Sequence, residues 1–510
     1  MISFTNERLT DFHLPAETAK LRAALDKVSA ELGQWYPLML GGRPYQTDAL
    51  FQSLNPCRHQ QVVGSVAQGD SQAAEAALTA AWKAYRDWSR VPWQARADCL
   101  FKLAALLRRD KAELTAWMIF EVGKNWGEAD ADVAEAIDFC EYYARQAMEL
   151  AADSETVAWP GERNRLIYTP LGAGVVISPW NFPLAILVGM TAAAIVCGNT
   201  VVIKPANTGA VIAAKAFALM QQAGIPDGVV NYLPGGGQDV GEYLVNHPLT
   251  RFINFTGSKA VGLRINQQAA ETRPGQRWIK RVVAEMGGKD CIIVDETADL
   301  EAAARGITSS AFGFQGQKCS ACSRAIITEP VYDQVLGRVA ELTSQLSLGS
   351  AVENHQVTAV IDHAAFQKIS SYLQSSDRLV VGGKADSSEG YFVQPTIYAD
   401  VQPDSRLAQE EIFGPVLSFI KAKNYDEAIA IGNGTPYGLT AAVYSNDRMR
   451  LLQAEQELHA GNLYLNRGCT GAFVGVHPFG GFNMSGTDSK AGGPDYLKLF
   501  TQAKSVAERF

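Results

Sequence analysis

Two different spacings of apolar side chains divide the chain. Between residues 71 and 155 the sequence is rich in alanine, and apolar residues recur at helical spacing, as at Leu100, Leu103 and Leu107. From about residue 165, short β-branched runs such as GVVISP and TVVIKPA alternate with helical stretches. Strands that alternate with helices in this way predict a parallel sheet with right-handed crossover connections.

A second alternation of the same kind begins near Cys291. The runs CIIVD, SRAIITE, PVLSFIKA and AAVYS are separated by helical or Gly-rich stretches. The sequence therefore predicts an α/β fold with two such domains. The polar interruption at 152–168 and the polar tail 485–510, which ends in the strand-like LFTQAKSV, predict a small β-hairpin extension outside both cores.

Composition narrows the class of protein without giving a function. The formal charge is −8, from 53 acidic and 45 basic side chains, and no basic block is present, so nucleic-acid binding is not expected. The most apolar stretch, 182–197, is shorter than the roughly 20 residues that a membrane-spanning helix needs. Eight scattered cysteines and the lack of an apolar signal core favour a reducing compartment, and we expect a cytoplasmic protein.

The segment FGFQGQKCSACSR contains two cysteines three positions apart, Cys319 and Cys322. A zinc site would need a second Cys or His pair at similar spacing, which is missing, and a thioredoxin-like pair would follow the first strand of a small domain. Metal is therefore not predicted. A structural thiol and a nucleophile both remain open on these residues alone.

Two further motifs could support a nucleophile. SPWNFP places Asn181 just after a strand, where its amide can donate to an oxyanion. AEMGGKD places Glu285 beside two glycines in an apolar setting, which would raise its pKa toward neutrality and suit it to act as a base. Each also has an ordinary structural interpretation, a helix cap for Asn181 and a solvated charge for Glu285.

Seven motifs in order resemble the aldehyde dehydrogenase superfamily over about residues 40–505: SPWNFP, KPAN, FTGSKAVG, EMGGK, GQKC, EEIFGPV and PFGGF. Within it, FGFQGQKCSACSR and NRGCTGAFVGVHPFGGF are similar to the branch that oxidises glutamate γ-semialdehyde in proline breakdown. The resemblance implies a Rossmann-like NAD-binding domain at 1–151 and 169–290, a catalytic domain at 291–484, and an oligomerisation flap at 152–168 and 485–510.

The resemblance also assigns roles to residues. It makes Cys319 the nucleophile, Asn181 an oxyanion donor and Glu285 the base that directs water onto a thioester, with Cys322 a neighbour that packs. The residues implied for the dinucleotide are Ser178, Pro179, Trp180, Lys204, Asn207, Gly257, Ser258, Gly287, Glu411 and Phe413. Many NAD-preferring relatives carry a glutamate where Asn207 stands, and asparagine lacks the charge that would repel a 2′-phosphate, so NADP should be better tolerated here. NAD remains the predicted cofactor, with NADP as the second candidate.

Substrate residues follow from the same branch. The α-carboxylate would be held by Ser320, Gly471 and Ala472, and the aliphatic chain would lie between Phe182 and Phe479. A Gly-containing loop with consecutive N–H groups also suits a carboxylate on physical grounds. The expected partners are the small-molecule substrate and other copies of the chain, as a homodimer or higher homo-oligomer, with functional coupling to a proline dehydrogenase as a further prediction.

Three other functions remain open from the sequence. The first is a dehydrogenase of the same fold for another short semialdehyde, such as succinate semialdehyde. The second is a non-catalytic nucleotide-binding relative. The third is a redox or metal role for Cys319 and Cys322.

Overall fold

The structure, a computed structural model, describes residues 3–152 and 154–510. Met1, Ile2 and Asp153, which the predicted domain boundaries include, lie outside the described residues. The described α-helices are α1 (Pro15–Glu31), α2 (Ser71–Trp88), α3 (Trp93–Arg109), α4 (Lys111–Val122), α5 (Trp126–Leu150), α6 (Ala185–Val196), α7 (Ala210–Gln222), α8 (Glu242–Asn246), α9 (Lys259–Ala270), α10 (Leu300–Phe312), α11 (Tyr332–Ser344), α12 (His363–Tyr372), α13 (Arg406–Gln409), α14 (Tyr425–Asn433) and α15 (Arg448–Glu457).

The described strands are β1 (Gln34–Tyr36), β2 (Leu38–Leu40), β3 (Arg43–Tyr45), β4 (Leu50–Asn55), β5 (Arg58–Ala67), β6 (Ser154–Glu155), β7 (Glu162–Pro170), β8 (Ala173–Ser178), β9 (Thr200–Pro205), β10 (Val230–Tyr232), β11 (Phe252–Thr256), β12 (Arg281–Glu285), β13 (Asp290–Val294), β14 (Cys322–Thr328), β15 (Arg378–Val381), β16 (Ala385–Asp386), β17 (Phe392–Val393), β18 (Thr396–Ala399), β19 (Val416–Ala422), β20 (Tyr437–Gly438), β21 (Thr440–Tyr444), β22 (Asn462–Leu465), β23 (Phe482–Asn483) and β24 (Thr501–Arg509).

The first large sheet has the order β12-β11-β8-β9-β10-β2-β3. Strands β8 to β12 run parallel, and β2 and β3 join antiparallel at one edge. The predicted runs GVVISP and TVVIKPA are β8 and β9, in neighbouring positions. The parallel α/β organisation expected from the alternating pattern is therefore confirmed.

A second sheet has the order β15-β18-β19-β14-β13-β21-β22. Its strands pair in parallel except at the β15 edge. The runs CIIVD, SRAIITE, PVLSFIKA and AAVYS form β13, β14, β19 and β21, as the sequence predicts. Helix α10 leads from the second sheet into the segment that contains Cys319.

A third, smaller sheet is antiparallel, with the order β24-β7-β6. Thr501 pairs with Pro170 at one end of the β24–β7 ladder, and Arg509 pairs with Glu162 at the other. Most β24 side chains are exposed. Of the predicted C-terminal extension at 485–510, residues 501–509 lie in this sheet, whereas 485–489 contact the end of β12.

Helix α6 is buried along almost its whole length, against α5 and the first sheet. Its apolar sequence, AILVGMTAAAIV, is followed by the buried strand β9, so the expectation of a buried helix and a buried strand is confirmed. Among the described residues, no helix combines the length and the apolar character that crossing a membrane requires.

Candidate active site

The carboxyl ends of neighbouring parallel strands lie on one edge of the first sheet. Strand β8 ends at Ser178 beside Pro205 of β9, and β11 ends at Thr256 beside Glu285 of β12. The chain order reverses at β8, because β9 lies on one side of it and β11 on the other. Open α/β sheets bind ligands in the crevice at such a reversal.

The segment around Cys319 has an unusual backbone. It leaves α10 through a 3₁₀ turn at Gly313–Gly316, in which Phe314 and Gln315 have φ values of 46° and 55°. Such left-handed conformations of non-glycine residues cost about 1–3 kcal/mol each and persist only where neighbouring contacts hold them. One such contact comes from the Ile361 N–H, which donates to the Gln317 side-chain oxygen at 2.9 Å.

Asn181 connects the first sheet to this segment. It lies in the loop between β8 and α6 and is only 4% exposed. Its side-chain nitrogen donates to the carbonyl oxygen of Gln317 at 3.1 Å, two residues before Cys319. Because an amide nitrogen carries two hydrogens, one N–H remains for a substrate oxygen.

The Cys319 thiol lies in an acidic environment. Burial raises its pKa, and the carboxyl groups of Asp290, Glu285 and Glu411 raise it further. The thiol is therefore protonated at neutral pH, and a base must remove its proton before it can attack a carbonyl. Cys322, in contrast, lies in the hydrophobic core between α10 and the second sheet.

Glu285 is positioned by a distant part of the chain. The Ser489 hydroxyl donates to one of its carboxylate oxygens at 2.6 Å, and the Gly481 N–H donates to the other at 3.1 Å. Burial outweighs these bonds and raises the pKa of Glu285 to about 7. This agrees with the expectation from its apolar setting, and it gives a carboxyl group that can accept and release protons near neutral pH.

Buried polar atoms without partners lie at the ends of β8 and β9. The Ser178 hydroxyl oxygen and the Asn207 side-chain oxygen are buried and make no hydrogen bond in the described part of the chain. Lys204 has a single long contact, 3.4 Å to the Pro205 carbonyl, and burial lowers its pKa to about 8. Ribose hydroxyl groups would supply the missing partners, so these residues fit a dinucleotide.

Gly257 and Ser258 form the turn between β11 and α9. The Gly257 N–H donates to the Glu285 carbonyl at 3.0 Å, so this turn is fixed next to the base. Ser258 is the N-cap residue of α9, and its side chain makes no capping bond. The first N–H groups of a helix attract phosphate, so this turn also suits a dinucleotide.

Glu411 and Phe413 contact the loops that follow β12 and β8. The Gly288 N–H donates to a Glu411 carboxylate oxygen at 3.1 Å, and a Cβ added at Gly287 would collide with that carboxylate. The Phe413 ring meets Trp180, the residue after Pro179, edge to face at 5.6 Å. Gly288, Glu411 and Phe413 line a small cavity of about 20 Å³ together with Lys318, the residue before Cys319.

The predicted substrate residues lie around the nucleophile segment. The carbonyl of Ser320 accepts from Cys469 at 3.3 Å, which connects it to the loop that contains Gly471 and Ala472. The Phe182 ring meets Phe314 edge to face at 6.4 Å. Phe479 pairs with Ala491 through their backbones. The residue after Phe479, Gly480, is near Glu285, since a Cβ added there would lie 3.1 Å from the carboxylate.

Sequence reasoning missed a group of charges on α5. Glu128 pairs with Lys318, next to the nucleophile, at 2.6 Å, and Asp132 pairs with the fully buried Lys124 at 2.7 Å. Burial and the Asp132 charge raise the pKa of Glu135 to about 8. The positions 128, 132 and 135 follow helical spacing, so the sequence did contain a signal for one acidic helix face.

Among the described residues, no group of three or more His, Cys, Asp and Glu side chains could hold a metal ion. The zinc alternative for Cys319 and Cys322 therefore gains no support from the described side chains.

Comparison with known proteins places this site in a family. A sequence profile for the aldehyde dehydrogenase family matches residues 44–506. A 1-pyrroline-5-carboxylate dehydrogenase of Geobacillus thermodenitrificans is 56% identical over 511 residues, 99% of each chain, and one of Bacillus cytotoxicus is 54% identical over 100% of this chain and 99% of its own.

Solved structures agree with these matches. A Thermus 1-pyrroline-5-carboxylate dehydrogenase with bound NAD superposes with a TM-score of 0.99 at 52% identity over all of both chains. Proline utilization A from Bdellovibrio bacteriovorus superposes with a TM-score of 0.98 at 45% identity, over 99% of this chain and 53% of that protein. The family profile, the sequence identities and the structural superpositions each cover nearly the whole chain. Together they show that the chain belongs to the aldehyde dehydrogenase family.

Proposed function

We propose that this enzyme oxidises L-glutamate γ-semialdehyde, which arises from 1-pyrroline-5-carboxylate, to L-glutamate with NAD as the cofactor. Relatives that are 53–56% identical over at least 99% of the chain carry the name 1-pyrroline-5-carboxylate dehydrogenase, and the similar Thermus enzyme binds NAD. The observation that carries the proposal is the convergence of Cys319, Asn181 and Glu285 around one crevice.

The first step is addition of the Cys319 sulfur to the aldehyde. Glu285 takes the thiol proton, a carbon–sulfur bond forms, and the carbonyl electron pair moves to oxygen. The Asn181 amide and the Cys319 N–H hold the resulting oxyanion. Each donor placed in this way is worth about 3–4 kcal/mol of barrier.

A bound NAD would supply the hydride acceptor for the oxidation of the carbon that is attached to sulfur. Lys204, Ser178 and Asn207 would hold the adenosine ribose, and Glu411 would hold the nicotinamide ribose. The full set for the dinucleotide is Ser178, Pro179, Trp180, Lys204, Asn207, Gly257, Ser258, Gly287, Glu411 and Phe413. Asn207 carries no charge to repel a 2′-phosphate, so we propose that NADP is a weaker second cofactor.

The last step is hydrolysis of the thioester on Cys319. Glu285 first releases the thiol proton to solvent and then removes a proton from water as the water oxygen attacks the acyl carbon. The carbon–sulfur bond breaks, L-glutamate leaves, and the Cys319 thiolate takes the proton back from Glu285. A pKa of about 7 suits Glu285 to both proton transfers.

Recognition of the amino-acid head is assigned to Ser320, Gly471 and Ala472. The N–H groups of Gly471 and Ala472 donate no hydrogen bond within the described part of the chain, so they are free to bind a carboxylate. Gly471 has a φ of 76°, and a left-handed residue next to ordinary backbone turns successive N–H groups into one concave site. Phe182 and Phe479 flank the aliphatic chain.

We further propose that the chain forms a homo-oligomer through the β24-β7-β6 sheet, and that its domains follow the predicted boundaries. The exposed side chains of β24 on a sheet outside the main cores support this use. The match to about half of proline utilization A supports a functional link to a proline dehydrogenase.

The test is steady-state turnover, followed as NADH absorbance, with glutamate γ-semialdehyde and with succinate semialdehyde. We expect the higher kcat/KM for the amino-acid aldehyde, and loss of turnover with retained NAD binding in Cys319→Ala. Cys322→Ala is the matched control and should stay active. A preference for succinate semialdehyde would favour the alternative substrate, and full activity of Cys319→Ala would exclude the mechanism.

A further inference from the structure

Arg467 lies behind the loop to which the substrate carboxylate is assigned. One of its terminal nitrogens donates to the Thr470 carbonyl at 2.8 Å and to the Gly471 carbonyl at 2.9 Å. Its guanidinium also lies over the ring of the buried Tyr464, 4.5 Å from the centroid. The described mechanism uses none of these contacts.

Those two carbonyls belong to the peptide groups that carry the Gly471 and Ala472 N–H groups. In a trans peptide the N–H points away from the C=O. By drawing both carbonyls toward one nitrogen, Arg467 turns both N–H groups to the opposite side of the loop. The residue therefore sets the direction in which the two donors point.

His477 supports this arrangement. Its Nε2 lies 3.2 Å from Arg467, and its Nδ1 lies 3.2 Å from the Phe473 N–H, the next amide along the loop. A neutral imidazole accepts at one of its nitrogens, so it satisfies one of these donors in either tautomer. Burial and the Arg467 charge lower the pKa of His477, which keeps the ring neutral and able to accept.

We propose that Arg467 is a positioning residue that selects substrates with an α-carboxylate, because it orients the Gly471 and Ala472 N–H groups as one binding site. The inference rests on the proposed function, since it assumes that this loop binds the carboxylate. It assigns Arg467 no contact with the reacting carbon, so its effect belongs to substrate binding and is small in the chemical step.

The experiment compares two aldehydes in the full-length enzyme with NAD. In Arg467→Met we expect the KM for glutamate γ-semialdehyde to rise about 10- to 100-fold, while kcat stays within about twofold. The KM for butanal, which has no carboxylate, should change by less than about twofold. Inhibition by L-glutamate should weaken by the same factor as the KM for the amino-acid aldehyde rises.

Two variants control for charge and for folding. Arg467→Lys keeps the positive charge but lacks the planar fork, and its KM should remain raised by about fivefold or more. Arg378→Met removes an exposed arginine of β15 and should behave as the parent enzyme. If Arg467→Met does not fold, as judged by its Tm, Arg467→Gln is measured with the same readouts.

The outcomes separate the two proposals. If the parent enzyme shows no preference for glutamate γ-semialdehyde over butanal, the proposed function fails. If the parent enzyme shows the preference, three results would contradict the role of Arg467. Arg467→Met could keep the parent KM for glutamate γ-semialdehyde, or it could raise the KM for both aldehydes by the same factor. Arg467→Lys could have the parent KM.

Discussion

Individual carboxyl groups determine how this site can work. Glu285 has a pKa raised to about 7, whereas the Cys319 thiol is held protonated by burial and nearby acids. A proton can therefore move from sulfur to carboxylate only when Glu285 is ionised, and its charge becomes the pH-sensitive feature of the mechanism.

The first prediction concerns pH. If Glu285 is the base, as proposed, activity should rise with pH through about 7 and fall below it, as the carboxylate becomes protonated. Glu285→Gln should lower kcat by roughly 10²–10⁴-fold and remove this limb of the profile. Rapid mixing should then show no burst of NADH, because attack by Cys319 also needs Glu285 to take the thiol proton. An unchanged pH profile in the variant would contradict this assignment.

The second prediction concerns the cofactor. The Asn207 side-chain oxygen is buried and has no hydrogen-bond partner among the described residues. Asn207→Glu would place a negative charge there, which would accept from a ribose 2′-hydroxyl but repel a 2′-phosphate. We expect the ratio of kcat/KM for NAD to that for NADP to rise about tenfold or more, measured with one aldehyde. Asn207→Gln is the neutral control and should leave the ratio nearly unchanged.

At the residue scale, the predictions of the site came from sequence motifs. Cys319, Asn181 and Glu285 come from motifs far apart in sequence, and the structure brings them to one crevice. The pairs Glu128–Lys318 and Lys124–Asp132 were missed, because charged residues ordinarily face water, and a local pattern does not show that the second pair is fully buried or that the first pair meets at all. The contact of Arg467 with the Thr470 and Gly471 carbonyls could not be predicted either, because it depends on the directions in which those carbonyls point.

At the scale of elements, a buried carboxyl group on α4 holds the start of helix α7. The Glu121 side chain of α4 accepts the N–H groups of Val211 and Ile212, each at 2.8 Å, at the start of α7. The Ser53 hydroxyl of β4 donates to the same carboxylate at 3.1 Å. One carboxylate therefore supplies partners for the open end of a helix and joins three elements.

The third prediction follows from this contact. Glu121→Ala should lower the free energy of unfolding by about 2–4 kcal/mol, because it leaves two buried N–H groups without partners and creates a cavity. Denaturant unfolding measures the change. Glu113→Ala, on the more exposed face of the same helix, is the matched control and should cost less than about 1 kcal/mol. Equal losses in the two variants would contradict a capping role.

Strands with long apolar runs could be predicted from the sequence, whereas short strands could not. The apolar and β-branched runs of β8, β9, β13 and β19 are nearly continuous, which is typical of strands buried on both faces. The strands β1 to β5 gave no comparable signal, because they are short or expose alternate residues to solvent. Their pairing depends on partners that a local pattern does not identify.

At the scale of the whole molecule, the C-terminal segment of the chain holds Glu285, the proposed base, in place. Ser489 and Gly481 hold Glu285 across about 200 residues of sequence, and the same segment continues into β24. Neither contact could be predicted from a local pattern. The two parallel sheets could be, because each is built from consecutive strand–helix units.

The fourth prediction tests the role of the small sheet. Removal of residues 501–510 deletes β24 and leaves β7 with an open edge. We expect the shortened chain to lose the proposed homo-oligomer, which light scattering coupled to size-exclusion chromatography would measure. Lys504→Ala, an exposed single change on β24, should keep the parent mass. An unchanged mass after the deletion would show that assembly uses another surface.

The pairing of β24 with β7 also bears on how the chain is made. Translation produces Glu162–Pro170 long before Thr501–Arg509, so during most of synthesis β7 has only the two-residue β6 beside it. Its other edge offers free backbone groups to any neighbouring nascent chain. Stalled or prematurely terminated products should therefore be found with chaperones or in inclusion bodies, even though they contain an intact Cys319.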